Sequence, residues 1–322
     1  MELSSITQAK RLLVVIPCLN EGATIAEVIC AIPRQIPGIS AVDVLIVDDG
    51  SADNTASEAA RAGAAVLKHP VNYGVGAAFQ SAVDYAVKHK YDLMVNIDGD
   101  KQFNPLDIPQ LVNPVLNGQA AMATASRFLN PATTVGIPYV KLIGNRMMSR
   151  LISHLVRVKY SDVSCGFRCY SREALLRLNL HGAFTYTQET FLDFAVKRLK
   201  IVEVPIRVEY FKDRKSRVAG SIWKYAVNTS KIIFRGYRDY FPLRCFWSIS
   251  AVFAVPGLVL AAVFFIHFLM TGKFSGYLFA GFTSAFLIMM ATVFFIIGMV
   301  ADMFDRIRRN QERILYLLKS KD

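Results

Sequence analysis

The sequence predicts an α/β domain built on a doubly wound, mostly parallel sheet, followed by a helical hairpin that crosses a membrane. Apolar strand-like runs alternate with helical patterns through about the first 220 residues, which is typical of such a sheet. Two later stretches, 245–270 and 276–301, contain no Asp, Glu, Lys or Arg. Each exceeds the roughly 20 residues that a helix needs to span a bilayer.

The strands and helices of the α/β part are predicted from apolar runs and from the proline and capping residues at their ends. The run 11–17 is continuously apolar and closes with proline, as expected of a strand covered on both faces. Thr55 and Glu58 have the spacing of a capping box that opens a helix. Strands are predicted at 11–17, 42–47, 64–68, 93–98, 119–126 and 202–208, and helices at 22–33, from 55, 75–89, 106–116, 141–158 and from 187.

The central strand begins at Leu93 and runs into two carboxylates, Asp98 and Asp100, with the amide of Gln102 two residues later. Residues i and i+2 point the same way if the strand continues past the sheet edge. Two adjacent carboxylates repel each other unless a cation lies between them. A site with few hard oxygen ligands, which leaves coordination positions free for water and substrate, predicts Mg²⁺ or Mn²⁺. The alternative interpretation of the same residues is a solvated acidic turn.

Other polar clusters follow the neighbouring strands. Asn20 and Glu21 come after the first strand, and Asp48 and Asp49 come after the second. Because the carboxyl ends of parallel strands share one edge of a sheet, these side chains and the acidic pair are expected to form one site.

The charge distribution predicts how the chain meets the membrane. The formal net charge is +12, and Lys and Arg are concentrated in 205–244 and just after the second span. Both chain ends are therefore expected in the cytoplasm, with a multi-pass protein in the cytoplasmic membrane. No signal peptide is recognised at the N-terminus. We expect a catalytic domain at 1–220, an interfacial amphipathic helix at 221–243, two transmembrane helices within 244–301, and a basic amphipathic helix at 302–322.

Two other sequence features indicate neither a dinucleotide site nor a cysteine metal site. The glycines around Gly74 and Gly76 lack the third glycine and the following acidic residue of a dinucleotide-binding fingerprint, so they indicate a tight turn or close backbone approach to a ligand. The five cysteines show no paired metal spacing, and they are expected to be reduced and structural.

The order of these motifs resembles family 2 glycosyltransferases, and most closely the polyprenyl-phosphate glycosyltransferases, which include dolichyl-phosphate mannose synthases and bactoprenol glucosyltransferases. The resemblance extends over nearly the whole chain. It is carried by 16–21, 47–51, 72–76, 98–102, 126–127, 162–168 and 188–189. It implies a GT-A fold with the active site at the carboxyl edge of the sheet.

The resemblance also implies roles for individual residues. Asp49, with Asp48, would contact the nucleotide base, Glu21 the ribose, and Asp98, Asp100 and Gln102 the metal. Arg127 and the helix with Lys141 and Arg146 would face phosphates, as would Arg168. Asp98, Asp100, Arg127 and Asp162 are the expected catalytic residues. The expected substrate-binding residues are Pro17, Asn20, Glu21, Asp48, Asp49, Gly74, Lys141, Arg146, Arg168, Gln188, Glu189, Lys212, Arg214 and Lys215.

The implied reaction is inverting transfer of a hexose, with glucose from UDP-glucose favoured, to undecaprenyl or another polyprenyl phosphate. Mannose from GDP-mannose or an amino-pentose are the alternatives. A lipid phosphate is largely ionised at pH 7, so neither Asp162 nor Glu189 is needed as a strong base.

Two further readings stay open. A processive polysaccharide synthase normally has a Gln-x-x-Arg-Trp signature and more spans, neither of which occurs here. A non-enzymatic nucleotide-sensing membrane protein would bind nucleotide without turnover. The expected partners are a nucleotide-sugar donor, a polyprenyl phosphate acceptor, the membrane and copies of the same chain, since relatives form oligomers, in some cases tetramers. No nucleic acid is expected.

Overall fold

A computed structural model describes residues 10–129, 139–180, 186–208 and 234–321, with side chains of the fifth helix described from residue 142 onwards. The strands are β1 (Lys10–Cys18), β2 (Ile39–Asp48), β3 (Ala65–Lys68), β4 (Leu93–Asn96), β5 (Met122–Ser126), β6 (Arg168–Ser171) and β7 (Ile201–Pro205). The helices of the same region are α1 (Ile25–Cys30), α2 (Thr55–Arg61), α3 (Val75–Lys88), α4 (Ile108–Leu116), α5 (Tyr139–Val156), α6 (Arg172–Arg177) and α7 (Tyr186–Val196).

The seven strands form one sheet in the order β3-β2-β1-β4-β6-β5-β7. All neighbouring pairs are parallel except those of β6, which runs antiparallel to both β4 and β5. The predicted mostly parallel α/β sheet is thus confirmed. Helices cover both faces, so the apolar run of β1 is buried along its length, with Leu12, Val14, Val15 and Ile16 entirely inaccessible to solvent.

The antiparallel strand β6 was not predicted. Its four residues begin at Arg168, a charged residue that is completely buried, and four residues show no usable hydrophobic period. Pairing with β4 and β5 on either side determines its conformation. Its antiparallel direction brings the loop before it, 161–167, to the edge where the parallel strands end.

Two predicted helix starts differ from the structure. The helix expected at 22–33 is only α1, since Gly22 and Thr24 precede it in turns. The capping box at Thr55 is absent: Asn54 is the N-cap, and no side-chain cap bond forms. The Thr55 hydroxyl instead accepts a hydrogen bond from the Glu21 amide at 2.9 Å, so it holds the loop after β1.

The described C-terminal residues contain two long helices, α8 (Pro242–Thr271) and α9 (Leu278–Lys321). Both are long and apolar enough to cross a membrane. The second span and the basic tail, which were predicted as separate segments, are one continuous helix because no proline or glycine interrupts 299–321. Residues 234–240 are helical, whereas 221–233 of the predicted interfacial helix lie outside the described residues.

Contacts divide the chain into two compact units, one of residues up to 219 together with 316–322, and the other of 220–315. The sheet belongs to the first unit. Within it, the Tyr316 hydroxyl donates to Glu173 of α6 at 3.0 Å, so the last turns of α9 are part of this unit.

Gly50 offers a test of the turn after β2. Its φ is +77°, and a Cβ there would lie 2.6 Å from the carbonyl carbon of Val71. Gly63 is a matched control, since its φ is +83° but a Cβ would meet nothing within 4 Å. Gly63→Ala should cost about 1–2 kcal/mol for the left-handed backbone alone, or a fall in melting temperature of roughly 2–8 °C.

We expect Gly50→Ala to lower the melting temperature clearly further, because the backbone at 71–72 cannot yield as a side chain could. Thermal unfolding of the purified full chain, followed by circular dichroism, measures both variants. Equal losses would mean that the close approach at Gly50 has no energetic cost.

Candidate active site at the carboxyl edge of the sheet

The loops after β1 and β2 are joined by hydrogen bonds at the sheet edge. Asn20 has a φ of +54°, and its side-chain oxygen accepts from the Ala52 amide at 2.9 Å while its own amide donates to the Ser51 hydroxyl at 2.9 Å. Pro17 lies in β1 opposite Val47 of β2. The adjacent strand ends thus bring the predicted residues of the first two clusters together.

Asp48 and Asp49 are both buried. One oxygen of Asp48 accepts from the Ser51 amide, and the other lies 3.9 Å from the Lys68 ammonium without a hydrogen bond. The Asp49 carboxylate accepts from the amides of Tyr73 at 3.0 Å and Gly74 at 2.7 Å. Asp49 therefore holds the loop that opens α3, and it places Gly74 beside the predicted nucleotide contacts.

His69 completes the surroundings of Asp49, and no sequence pattern predicted its role. Its Nδ1 lies 2.8 Å from Asp49 Oδ1, and its Nε2 lies 2.9 Å from the Ser81 hydroxyl. With the proton on Nδ1 facing the carboxylate, Nε2 accepts from Ser81. The imidazole thereby links the end of β3 to α3 and fixes the orientation of the carboxylate.

The two carboxylates after β4 lie in a turn, contrary to the expectation of an extended strand. The strand ends at Asn96, and Lys101 has a φ of +60°. One Asp100 oxygen accepts from the Gln102 amide at 3.1 Å. Asp98 and Asp100 are therefore brought near each other by this turn, and not by the alternating side-chain directions of an extended strand.

Helix α1 and the residue before it hold this acidic turn. The Thr24 hydroxyl donates to the Gly99 carbonyl at 3.0 Å, and Lys101 forms an ion pair with Glu27 of α1. The Lys101 ammonium is thus directed to α1. The turn is therefore attached to the helix on both sides of Asp100.

The electrostatics of the acidic turn favour a bound cation. Burial, followed by the negative charge of Asp100, raises the pKa of Asp98 to about 6, although Arg127 and Arg168 act in the opposite direction. A divalent ion would relieve this repulsion, and hard carboxylate oxygens suit Mg²⁺ or Mn²⁺. Among the described residues, no group of three His, Cys, Asp or Glu side chains converges as a complete metal site. Asp98 and Asp100 would therefore supply only part of the ligand shell of such an ion.

A small group of residues behind Asp98 was also missed by the sequence. A Cβ on Gly166 would lie 3.0 Å from the Tyr186 hydroxyl and 3.3 Å from Asp98 Oδ1. The Asn96 side-chain Nδ2 donates to the Gly166 carbonyl at 2.9 Å and to the Tyr186 hydroxyl at 3.0 Å. Gly166 therefore allows the loop before β6 to approach Asp98 closely.

Arg127 and Asp162 form an ion pair beside this loop, in which Asp162 is fully buried and Arg127 is partly buried. Arg127 Nε and Nη2 donate to the two Asp162 oxygens at 2.6 and 2.9 Å, and Nη2 also donates to the Ser164 hydroxyl at 2.8 Å. Burial acts to raise the pKa of Asp162, but the hydrogen bonds and charge of Arg127 outweigh it and hold that pKa below its usual range. Asp162 is accordingly a charged partner of Arg127 and poorly suited as a base.

Glu203 of β7 supports the same loop and was not predicted. It accepts from the amides of Ser161 and Asp162, each at 2.9 Å, and from the Ser161 hydroxyl at 2.6 Å. A carboxylate that accepts three hydrogen bonds fixes the backbone on the N-terminal side of Asp162. The sequence signal was a single acid in an apolar strand, which alone has no specific meaning.

The remaining predicted residues lie in different surroundings. Arg168 is fully buried, donates to the carbonyls of Cys165 and Val163, and lies over the Phe191 ring. Its Nη1 has no hydrogen-bond partner among the described residues, and the assignment of Arg168 to a phosphate stays a prediction. Gln188 is buried in α7 and accepts from the Thr187 hydroxyl. Glu189 is next to it, half-buried.

Arg146 is exposed on α5, while the side chain of Lys141 is outside the described part of that helix. The predicted basic loop with Lys212, Arg214 and Lys215 also lies outside the described residues. Those assignments remain predictions.

Comparison with known proteins identifies relatives of this architecture. A family model described as glycosyl transferase family 2 matches residues 13–178, just over half of the chain. The chain is 26% identical to polyprenol monophosphomannose synthase of Mycolicibacterium smegmatis, over 68% of this chain and 84% of the relative. It is 29% identical to UDP-N-acetylglucosamine–dolichyl-phosphate N-acetylglucosaminyltransferase of Methanococcus voltae, over 62% of this chain and 86% of that protein.

A solved structure has the same fold. Glucosyl-3-phosphoglycerate synthase of Mycobacterium tuberculosis, in complex with Mn²⁺, UDP-glucose and phosphoglyceric acid, superimposes with a TM-score of 0.54. The two chains are 26% identical, and the match covers 70% of this chain and 79% of the other. The predicted GT-A fold is confirmed.

The ion pair of Arg127 and Asp162 gives a testable prediction. Removing one partner of a fully buried pair costs about 3–5 kcal/mol, because the other charge is left without compensation, and the partly buried Arg127 makes this the upper end of the expected loss. We expect Arg127→Met and Asp162→Asn each to lower the melting temperature strongly, and the double variant to lose about 0.5–3 kcal/mol less than the sum. The two single variants and the double variant form a double-mutant cycle, which is measured by thermal unfolding of the full chain.

The exposed pair of Arg61 and Glu58 on α2 is the control, with the arginine side chain 73% accessible. Its cycle should give a coupling below about 1 kcal/mol. Additive losses at Arg127 and Asp162 would show that the two groups are not coupled.

Proposed function

Because this chain belongs to glycosyl transferase family 2, we propose that it transfers a hexose from a nucleotide sugar to a polyprenyl phosphate at the cytoplasmic face of a membrane. Glucose from UDP-glucose is the proposed donor sugar, undecaprenyl phosphate the proposed acceptor, and inversion the proposed stereochemistry. The observation that carries the proposal is the meeting of three polar clusters at one sheet edge, in a chain whose relatives include enzymes named for polyprenol and dolichyl phosphate products.

The donor nucleotide is assigned to the side of the edge formed by the first two strands. Asp49 is held by His69 and by the amides of 73–74, and Asn20 fixes the neighbouring loop. These contacts orient the carboxylate before any ligand arrives, which lowers the entropic cost of binding. Glu21, whose amide is held by Thr55, is assigned to the ribose.

The donor diphosphate is assigned to the acidic turn. Asp98 and Asp100, with Gln102, would hold Mg²⁺ or Mn²⁺, and the related synthase structure with Mn²⁺ and UDP-glucose supports this choice. When bound, such an ion stabilises negative charge that develops on a leaving diphosphate. The turn itself contributes by keeping its two carboxylates together through Thr24 and Lys101.

The acceptor is a phosphate that is already largely ionised at pH 7, since the second pKa of a phosphate monoester is about 6. No strong general base is therefore required. Arg127 is the proposed cation closest to the reacting phosphates, and Asp162 and Glu203 keep its position. A membrane anchor in α8 and α9 would raise the effective concentration of an acceptor that cannot leave the bilayer.

The donor sugar is tested directly with purified chain in detergent, undecaprenyl phosphate and Mg²⁺ or Mn²⁺. Radiolabelled UDP-glucose, GDP-mannose and UDP-N-acetylglucosamine are supplied in parallel, the latter two because relatives are named for those sugars. Label should enter the organic phase from UDP-glucose and be lost with chelator. Transfer from another donor would overturn the assignment of glucose. Metal-dependent nucleotide binding without any transfer would favour the non-enzymatic interpretation.

Asp100→Asn tests the acidic turn. Loss of one charge at the diphosphate should lower transfer by about 100-fold or more, the scale of losing one electrostatic stabiliser. The circular dichroism spectrum should be unchanged, and Mn²⁺ binding, followed by electron paramagnetic resonance with UDP present, should weaken.

Asp84→Asn on the exposed face of α3 is the control and should retain both transfer and Mn²⁺ binding. If the Asp100→Asn variant transferred sugar at the wild-type rate, the assignment of Asp100 as a metal ligand would be wrong.

A further inference from the structure

Tyr186, the first residue of α7, has a buried ring whose position is fixed by packing. The ring stacks on Phe79 of α3, with the two ring centroids 4.2 Å apart and the planes inclined by 13°. A close-packed interior leaves such a ring little freedom to turn. The place of the Tyr186 hydroxyl is therefore determined by the fold itself, before any ligand is bound.

The hydroxyl of Tyr186 accepts a hydrogen bond from Asn96, the last residue of β4. Asn96 Nδ2 donates both to the Gly166 carbonyl at 2.9 Å and to the Tyr186 hydroxyl at 3.0 Å. Because a carbonyl can only accept, the Asn96 amide must present its NH₂ group on this side. Both hydrogens of the amide are then used, and the phenolic proton of Tyr186 is left to donate to a different group.

The Asp98 carboxylate is the charged acceptor beside this hydroxyl. A Cβ on Gly166 would lie 3.0 Å from the Tyr186 hydroxyl, 3.3 Å from Asp98 Oδ1 and 3.5 Å from Asp98 Oδ2, so the two groups border the same space, which glycine leaves open. Burial, followed by the negative charge of Asp98, raises the pKa of Tyr186 well above its usual value. The hydroxyl therefore keeps its proton next to the carboxylate.

We propose that Tyr186 is a positioning residue for Asp98, and that its hydroxyl, oriented by Asn96, restricts the rotation of the carboxylate. No direct hydrogen bond joins Tyr186 and Asp98 in the structure, and a small rotation of the Asp98 side chain into the space beside Gly166 would complete one. The inference rests on the proposed function, since it takes Asp98 as a ligand of the divalent ion. Partners that orient a ligand in this way typically change metal affinity by about 10- to 100-fold.

A residue that only fills the interior would need the ring and not the hydroxyl. Phenylalanine at position 186 would keep the stacking on Phe79 and lose the bond from Asn96. Tyr186→Phe therefore removes the group that acts on Asp98 and leaves the packing in place.

Tyr91→Phe is the matched control. Tyr91 is also buried, and its hydroxyl donates to a carboxylate, that of Asp43, at 2.8 Å. It precedes β4, whereas Asn96 and Asp98 lie at and beyond the other end of that strand. Both variants thus remove one hydroxyl near an aspartate, but at opposite ends of the same strand.

The full chain and both variants are purified in detergent, and Mn²⁺ binding in the presence of UDP is titrated by electron paramagnetic resonance at the same pH. Melting temperatures are measured without metal and with Mn²⁺ and UDP. We expect Tyr186→Phe to bind Mn²⁺ about 10- to 100-fold more weakly. It should also show a smaller rise in melting temperature with Mn²⁺ and UDP, because a ligand stabilises the folded state in proportion to its binding.

Tyr91→Phe should lower the melting temperature without metal, because it loses a bond to a charged acceptor, and yet bind Mn²⁺ like the wild type. Sugar transfer by Tyr186→Phe should recover when the Mn²⁺ concentration is raised, since the loss is one of metal occupancy.

Wild-type Mn²⁺ affinity in Tyr186→Phe would overturn the inference and leave the proposed function intact. Equal weakening in both variants would also overturn it, since the effect would then follow from a general loss of stability. A wild type that binds no Mn²⁺ with UDP would contradict the metal assignment and this inference together. Selective weakening in Tyr186→Phe, in a chain that transfers no sugar, would support the inference and refute the proposed transfer.

Discussion

The ion pair between Arg127 and Asp162 is the interaction on which the candidate site depends. It joins the end of β5 to the loop before β6, and that loop also carries Gly166, whose backbone lies against Asp98. Glu203 holds the same loop from β7. Because Arg127 also opposes the rise in the pKa of Asp98, one guanidinium contributes both to the position of the loop and to the charge balance of the acidic turn.

This arrangement follows from a single antiparallel strand in an otherwise parallel sheet. Parallel strands alone would bring their carboxyl ends to the edge, and β1, β2 and β4 do so. The reversal at β6 adds the beginning of a strand to that edge, and with it the loop 161–167. The site is thus built from two kinds of strand end, and the loop before the reversed strand contributes Asp162, the partner of Arg127.

The sequence predicted what depends on local pattern. Continuous apolar runs predicted the parallel strands, and the polar residues at their ends predicted that Asn20, Asp49 and Asp98 belong to one edge. It could not predict β6, because four residues that include the buried Arg168 owe their conformation to pairing with β4 and β5. Nor could it predict His69 or Glu203, whose partners lie 12 or more residues away in the chain. Thr55 shows the same limit, since a local capping signal was overridden by a tertiary bond to Glu21.

The attachment of the acidic turn to α1 has a consequence for ion discrimination. Thr24 and Glu27 contact the turn at Gly99 and Lys101, on both sides of Asp100, which restricts how far its backbone can rearrange. Ca²⁺ prefers six to eight oxygen ligands in a flexible shell, whereas Mg²⁺ retains several waters and needs only one or two carboxylates. If the turn holds a divalent ion as proposed, its few carboxylates and restricted backbone would disfavour the larger ion by geometry, even where calcium is plentiful, without any ligand dedicated to excluding it.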